Sequence, residues 1–505
     1  VQSATVESKP VRSAAVTSER KPRPVQMDEH QPTLRAPSRC TWCIVGGTRK
    51  VFEEVAMTLS DDRPSVAGEV TELLQQLIRN ACVNDGTTES GHEIRSATVL
   101  ETYLEGSGVE LERIEPSPGR ASLIGRIEGR RTDAPTLLLL GHTDVVPVNP
   151  ERWRHDPFGG ELIDGEVWGR GAVDMLNLTA SMAVAMRHLA RSDFTPDGTV
   201  VFCAVADEEA AGIHGAQHLA GHERDSVAAD YVITESGGIP IPSPSGMKLP
   251  VIVGEKGSYW CTLRVRGVAG HGSQPFRTDN ALVKAAEVVR RLDAFQPETQ
   301  IHEVWRRFIS SMGYPAEITE PLLSPDQLMS SLDALPMAMA RQFHACTHTT
   351  IAPTMVHGGS KINTIPDLVD LQVDIRTLPG QTEADVRALL DEALGDLAGA
   401  VEIIGAEDDP STSSPIDTPL WHTLDAVTKH FYAESELVPY LTVGATDARF
   451  FRRAGSVGYG FGLFSEQLTF EDYGAMFHGD DERVDVGSLV LSTNLWDAVA
   501  RELLS

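Results

Sequence analysis

Basic residues are scarce in this chain. Lys and Arg number 43 against 72 Asp and Glu, a formal net charge of −29 over 505 residues. Phosphate backbones and anionic membrane surfaces are gripped through Lys and Arg, so no nucleic-acid or membrane partner is expected. Cysteine is scarce too. The six cysteines, Cys40, Cys43, Cys82, Cys203, Cys261 and Cys346, show no disulfide-framework spacing. A chain this long needs no such staples. Cys40 and Cys43 form a lone CxxC, with no second CxxC or CxxH to complete a zinc site. Cys203 falls in an apolar run and reads as a small buried hydrophobe. Reduced thiols and a cytoplasmic location are the default expectation. No run approaches the ~18 apolar residues of a membrane span. The first residues lack the positive, apolar, small-residue order of a signal peptide.

What is present is an ordinary globular composition, 41% hydrophobic and 23% charged, with length for at least two domains. Residues 1–61 are rich in Ser, Pro, Arg, Val and Glu without periodicity and are expected to be a disordered leader. Apolar spacing then predicts helices over Val66–Arg79 and Ile94–Leu104. Strand-like pieces follow, and Leu137–Leu140 reads as a buried strand that runs through a glycine to His142. Asp144 lies two residues on, on the same side of an extended segment. That spacing suits a ligating imidazole whose second ring nitrogen is held by an acid. Asp174 opens an alanine-rich helical pattern centred on Leu178–Leu189. Taken alone, His142 reads better as a satisfied histidine at a strand end, and Asp174 as a helix N-terminal acid.

The next strand, Thr199–Ala206, ends in Asp207-Glu208-Glu209. A solvated loop would account for an isolated acid triplet. Neighbouring side chains at a strand end diverge, however, so one glutamate can ligate a metal while the next faces its water. After another helical stretch, Tyr231–Thr234 is a strand ending in Glu235. The alternation of strands and helices implies parallel strands in an α/β sheet. Three apolar strands thus end in His142, Glu208/Glu209 and Glu235, at the sheet end where open α/β folds bind ligands.

GHTDVVP, DGEVWGRGAVDM, DEE after a strand and ITESGG together resemble the M20-type metallopeptidase family. That family includes aminoacylase-1, succinyl-diaminopimelate desuccinylase, acetylornithine deacetylase and glutamate carboxypeptidase. The likeness continues through GVAGHGSQP (267–275), GGSKINTIPD (358–367), VDIRTLPG (373–380), GATDARFF (444–451) and FHGDDERV (477–484). The resemblance implies two divalent cations, zinc by the nitrogen and oxygen donors, with cobalt or manganese as substitutes. His142 and Glu235 would hold one, Glu209 and His478 the other, and Asp174 would bridge them. Asp144 would stand behind His142, and Glu208 would be the general base. A cis peptide between Asp174 and Met175 is also implied. The family's usual Lys-Gly after Asp-Met is Leu176-Asn177 here, a departure at the nearby helix start.

The middle of the chain predicts a second unit. Strands at Ser258–Arg266, Ile351–Val356, Asp367–Ile375 and Val401–Ile404 alternate with helices at Asn280–Leu292 and Ala384–Leu394. The order β-α-β-β-α-β is ferredoxin-like. The expected fold is therefore α/β: a zinc-exopeptidase-like catalytic domain with a mixed, largely parallel sheet (62–254 and 410–505), interrupted by a ferredoxin-like lid and dimerisation domain (255–409). Residues 297–349, inside the lid, are expected to add helices, with their methionines used in packing. By resemblance, Arg376 and Asn363 contact substrate, though each also reads as a local salt bridge or turn residue. His271 would reach the active site of a partner subunit in a homodimer. The implied activity is hydrolysis of the amide bond of a small molecule, an N-acyl amino acid or small peptide with a free carboxylate. A dipeptidase or aminopeptidase is the alternative, disfavoured because members of that type commonly carry aspartate where Glu235 stands. A silent binding protein on this fold is the rival class.

Overall fold

The computed structural model describes residues 65–505. The leader expected at 1–61 and the Cys40–Cys43 pair lie outside the described residues. A ten-stranded mixed sheet organises the rest. Its centre is parallel: Thr136–His142 lies between Thr199–Val205 and Tyr231–Thr234, and Val457–Gly460 continues beside the latter. Antiparallel pairs flank this centre, through Arg120–Ile127 on one side and Gly246–Glu255 on the other. The register sets His142 opposite Val205, so the segments that follow all three central strands leave the same end of the sheet.

Leu137 to Leu140 are fully buried because alternate side chains enter different cores. Leu137 and Leu139 pack with the long helices Val66–Arg79, Leu176–Arg191 and Val486–Leu503. Leu138 and Leu140 pack on the other face with Leu219, Val227 and Phe451. The sheet is thus covered on both sides. Leu176–Arg191 approaches it closely: a Cβ on Gly141 would sit 2.4 Å from the Thr179 hydroxyl, which donates to the His142 carbonyl at 2.8 Å. The Asp174–Met175 peptide is cis. Leu176 and Asn177, where the family motif is broken, are buried and begin the helix directly.

The middle of the chain forms a separate antiparallel sheet, ordered Thr350–Gly358, Leu368–Thr377, Gly257–Arg266, Val401–Asp409. Helices Ala281–Ala294 and Glu383–Leu394 cover one face through Val288, Leu292, Val386 and Leu390. The element order is β-α-β-β-α-β. The stretch 297–349 is helical, with helices Glu303–Ser311, Ala316–Leu322, Pro325–Leu332 and Met337–Thr347. Its apolar face packs elsewhere than its place within 255–409 suggests. Trp305, Phe308, Ile309 and Met312 close over Ile252, Val438 and Tyr440 of the large sheet. Its methionines divide: Met312 is buried, while Met337 is 66% exposed and Met339 42%.

Candidate metal centre

His142 ends its strand with the ring 1% exposed. Its Nδ1 proton goes to the backbone carbonyl of Asp144 at 3.0 Å. That leaves Nε2 with a lone pair, facing Asp174 Oδ1 at 3.1 Å and Glu235 Oε2 at 3.7 Å. A lone pair and two carboxylates cannot satisfy one another without a proton or a cation between them. On the far oxygen of Asp174 the pattern repeats: His478 Nε2 lies 3.1 Å from Oδ2 and 3.3 Å from Glu209 Oε2. Asp174 therefore offers one oxygen to each of two donor clusters, His142–Asp174–Glu235 and Asp174–Glu209–His478. A third grouping joins His142 with Glu208 and Glu209. All five residues read as ligands converge, although His478 is separated from the rest by most of the chain.

Asp144 does something other than its spacing suggests. The nearer contact to the His142 ring is its backbone carbonyl, and the carboxylate stands 3.6 Å off. The carboxylate instead accepts the backbone N–H groups of Glu208 and Glu209 at 3.2 and 3.1 Å, and Asn84 Nδ2 at 2.9 Å. It thereby orients the turn that carries both glutamates. That turn, Glu208–Ala210, is bounded by Asp207 and Ala211 at φ 70° and 77°, strain that a non-glycine residue adopts only where its surroundings enforce it. Asp207 is held by His214 N–H at 2.9 Å and Asn84 at 3.2 Å, with Arg120 at 3.5 Å.

The electrostatics ask for positive charge. Burial pushes Glu209 up to about 7, with Asp174 adding to it, and Glu235 up to about 8. Burial also raises Glu208 well above the carboxylate range, reinforced by Glu235. Burial opposes charge on His142, but the hydrogen bonds a protonated ring would donate to Asp174 and Glu235 outweigh it and raise the imidazole. Asp174 and Glu209 raise His478 to about 10. Glu209 Oε1 is buried without a hydrogen-bond partner. Crowded carboxylates, opposed lone pairs and an orphaned oxygen all fit bound divalent cations.

The remaining sequence-predicted residues lie on the four-stranded unit. His271 is on the short strand Gly270–His271, opposite Thr364, hydrogen-bonded to the Ser273 hydroxyl at 2.8 Å. The Gly272 N–H donates to the Asn363 carbonyl at 2.8 Å, so His271 and Asn363 share one ribbon. Arg376 makes a two-point pair with Asp374, 2.8 and 3.2 Å, and sits 5.5 Å from the Trp260 ring. Among the described residues, none of the three makes a hydrogen bond or ion pair to the acidic cluster. Sequence reasoning missed Asn84, Asp207 and Asp447. Asp447 is 2% exposed with both oxygens unpartnered, and burial takes it up to about 7. Its motif, GATDARFF, was visible as a motif. Asn84 sits in a polar loop with no local signal.

A family model described as Peptidase family M20/M25/M40 matches residues 138–502, well over half of the chain. The chain belongs to this family. As an M20-family member it is a hydrolytic enzyme of the peptidase and amidohydrolase type. Among curated relatives, it is similar to the N-fatty-acyl-amino acid synthase/hydrolase PM20D1 of Xenopus tropicalis. The two are 27% identical over 425 residues, 80% of this chain and 81% of the relative. The succinyl-diaminopimelate desuccinylase of Cereibacter sphaeroides is 28% identical over 395 residues, 77% of this chain and 89% of the relative. Among solved structures, the M20-family metallo-carboxypeptidase Sso-CP2 from Sulfolobus solfataricus shares the fold. It has a TM-score of 0.66 at 19% identity and covers 86% of this chain and 99% of its own. Among the described residues no helix is long and apolar enough to cross a membrane.

Proposed function

We propose that this enzyme is a di-metal hydrolase cleaving the amide bond of an N-acyl amino acid or small peptide that carries a free carboxylate. The observation that carries the reading is Asp174, which presents its two oxygens to two separate donor clusters. His142 and Glu235 would hold one cation, Glu209 and His478 the other, and Asp174 both. Such a pair, when bound, activates water and polarises a carbonyl. Glu208, on the turn clamped by Asp144, takes a proton from the attacking water and passes it to the departing amine nitrogen. Asp144 keeps Glu208 and Glu209 aimed apart by holding both backbone N–H groups.

Arg376 is the residue for the substrate carboxylate, and Asn363, on the ribbon with His271, is a second substrate contact. The Arg376 fork already fits the Asp374 carboxylate at two points, so an incoming carboxylate exchanges for that partner. The four-stranded unit acts as a lid and dimerisation surface. Among the described residues its edge strand Thr350–Gly358 is unpaired on one side, and Phe276, Leu282, Val283, Val356 and Ile362 are exposed on the unit. A second copy covering these side chains would bring His271 of the partner subunit to the oxyanion. The activities for which two relatives are named, on N-fatty-acyl amino acids and succinyl-diaminopimelate, support the acyl-amino-acid class over dipeptides. Four buried free cysteines support a reducing, cytoplasmic setting. The test is a rate screen of zinc-loaded protein against N-acyl amino acids and dipeptides. Turnover of the former is expected, and turnover confined to dipeptides would replace this reading with a dipeptidase.

A further inference from the structure

The motif FHGDDERV carries an acid, Glu482, whose role the ligand assignments leave open. Glu482 is fully buried, and its carboxylate is shared among four donors. Oε1 accepts the backbone N–H of Val173 at 2.7 Å and of Asp174 at 3.0 Å. Oε2 accepts Gly171 N–H at 3.0 Å and Arg170 Nη1 at 2.7 Å. Its own carbonyl receives the Gly169 N–H at 2.9 Å, and Arg170 Nη2 reaches the Gly479 carbonyl at 2.8 Å. These bonds stitch loop 169–174 to loop 478–482 across some three hundred residues of sequence. One loop ends in Asp174 and the other begins with His478. His478 and Asp481 both hold positive φ, 57° and 58°, so the second loop keeps its shape only under external constraint.

We propose that Glu482 is a positioning residue that sets the spacing of Asp174 and His478, and so the affinity of the cation site they form with Glu209. The inference rests on the dinuclear reading above. A carboxylate is needed because every partner is a donor. Glutamine has the same outline but must turn an –NH2 toward one pair of those donors, whichever way it is flipped. Partners behind a metal ligand are typically worth roughly 10–100-fold in metal affinity. Here one group would act on Asp174 through its backbone N–H and on His478 through Arg170, which it holds against the Gly479 carbonyl.

The test is cobalt titration of chelated protein, followed by calorimetry and visible absorption without substrate. Wild type is expected to bind two cobalt ions per chain. Glu482→Gln should bind the second roughly 10–100-fold more weakly and the first, which shares only Asp174 of the two positioned ligands, by a smaller factor, with the absorption band of the second event reduced. Glu482→Asp, which withdraws the charge by one methylene, carries the same expectation if the glutamine variant does not fold. The control is Glu255→Gln. Glu255 is equally buried and paired with Arg452 at 2.7 Å, and this variant should lower thermal stability while leaving both cobalt affinities unchanged. Two unchanged cobalt events in the Glu482 variants overturn the proposal, as does equal weakening of both events. A single event in wild type overturns the dinuclear reading and this inference with it.

Discussion

Glu208 and Glu209 are adjacent, chemically identical and predicted to fail differently when neutralised. Glu208→Gln should keep its cations and lose proton transfer, lowering turnover by roughly 10²–10⁴-fold. Glu209→Gln should lose metal, because its side chain is the one beside His478. Metal per chain measured alongside rate separates the two, and equal metal loss in both would reverse the assignment. The ligand-type residues were legible because each follows an apolar strand or sits in a compact motif. Asp144 was legible as an acid beside His142, 3.6 Å from its ring, but not in its bonds to the glutamate turn. Its two-residue spacing from His142 is visible in the chain, whereas its bonds to Glu208 and Glu209 depend on the parallel pairing of two strands. Asn84, Asp207 and Glu482 act by hydrogen bonds between distant loops, which no local pattern encodes.

Helices and strands were read more fully than their packing. Val66–Arg79 was expected from its apolar spacing and is present over those residues. Its polar face carries a contact that spacing does not show: Glu69 accepts from Arg187, His188 and Tyr103 at 2.8, 2.8 and 2.6 Å. Burial opposes the Glu69 charge, but bonds from His188 and Tyr103 prevail and bring the group down from 4.5 to about 2. A depressed acid stabilises the fold above its unfolded pKa and loses that contribution as pH falls through the folded value. Glu69→Gln should therefore cost about 1–3 kcal/mol at neutral pH. The gap to wild type should narrow below pH 4.5 and close near 2, as read by urea unfolding of chelated protein. A gap constant with pH would contradict it. The helices of 303–347 show the opposite limit. Their existence followed from a long apolar segment, but periodicity names a buried face without naming what it is buried against, and the large sheet was the partner.

At the scale of the molecule, the prediction concerns sharing between chains. Inactive His271→Ala and inactive Glu208→Gln, mixed under subunit exchange, should recover up to roughly a quarter of wild-type activity in a symmetric dimer. No recovery despite proven exchange would place His271 outside its neighbour's site. The central claim, that hydrolysis requires two cations bridged by Asp174, has a more direct measurement. Chelated protein is given zinc stepwise, and turnover of its best substrate is plotted against zinc bound per chain. The account predicts no turnover without metal and a plateau at two zinc ions per chain. Full turnover in the chelated protein, or a plateau at one, would contradict it.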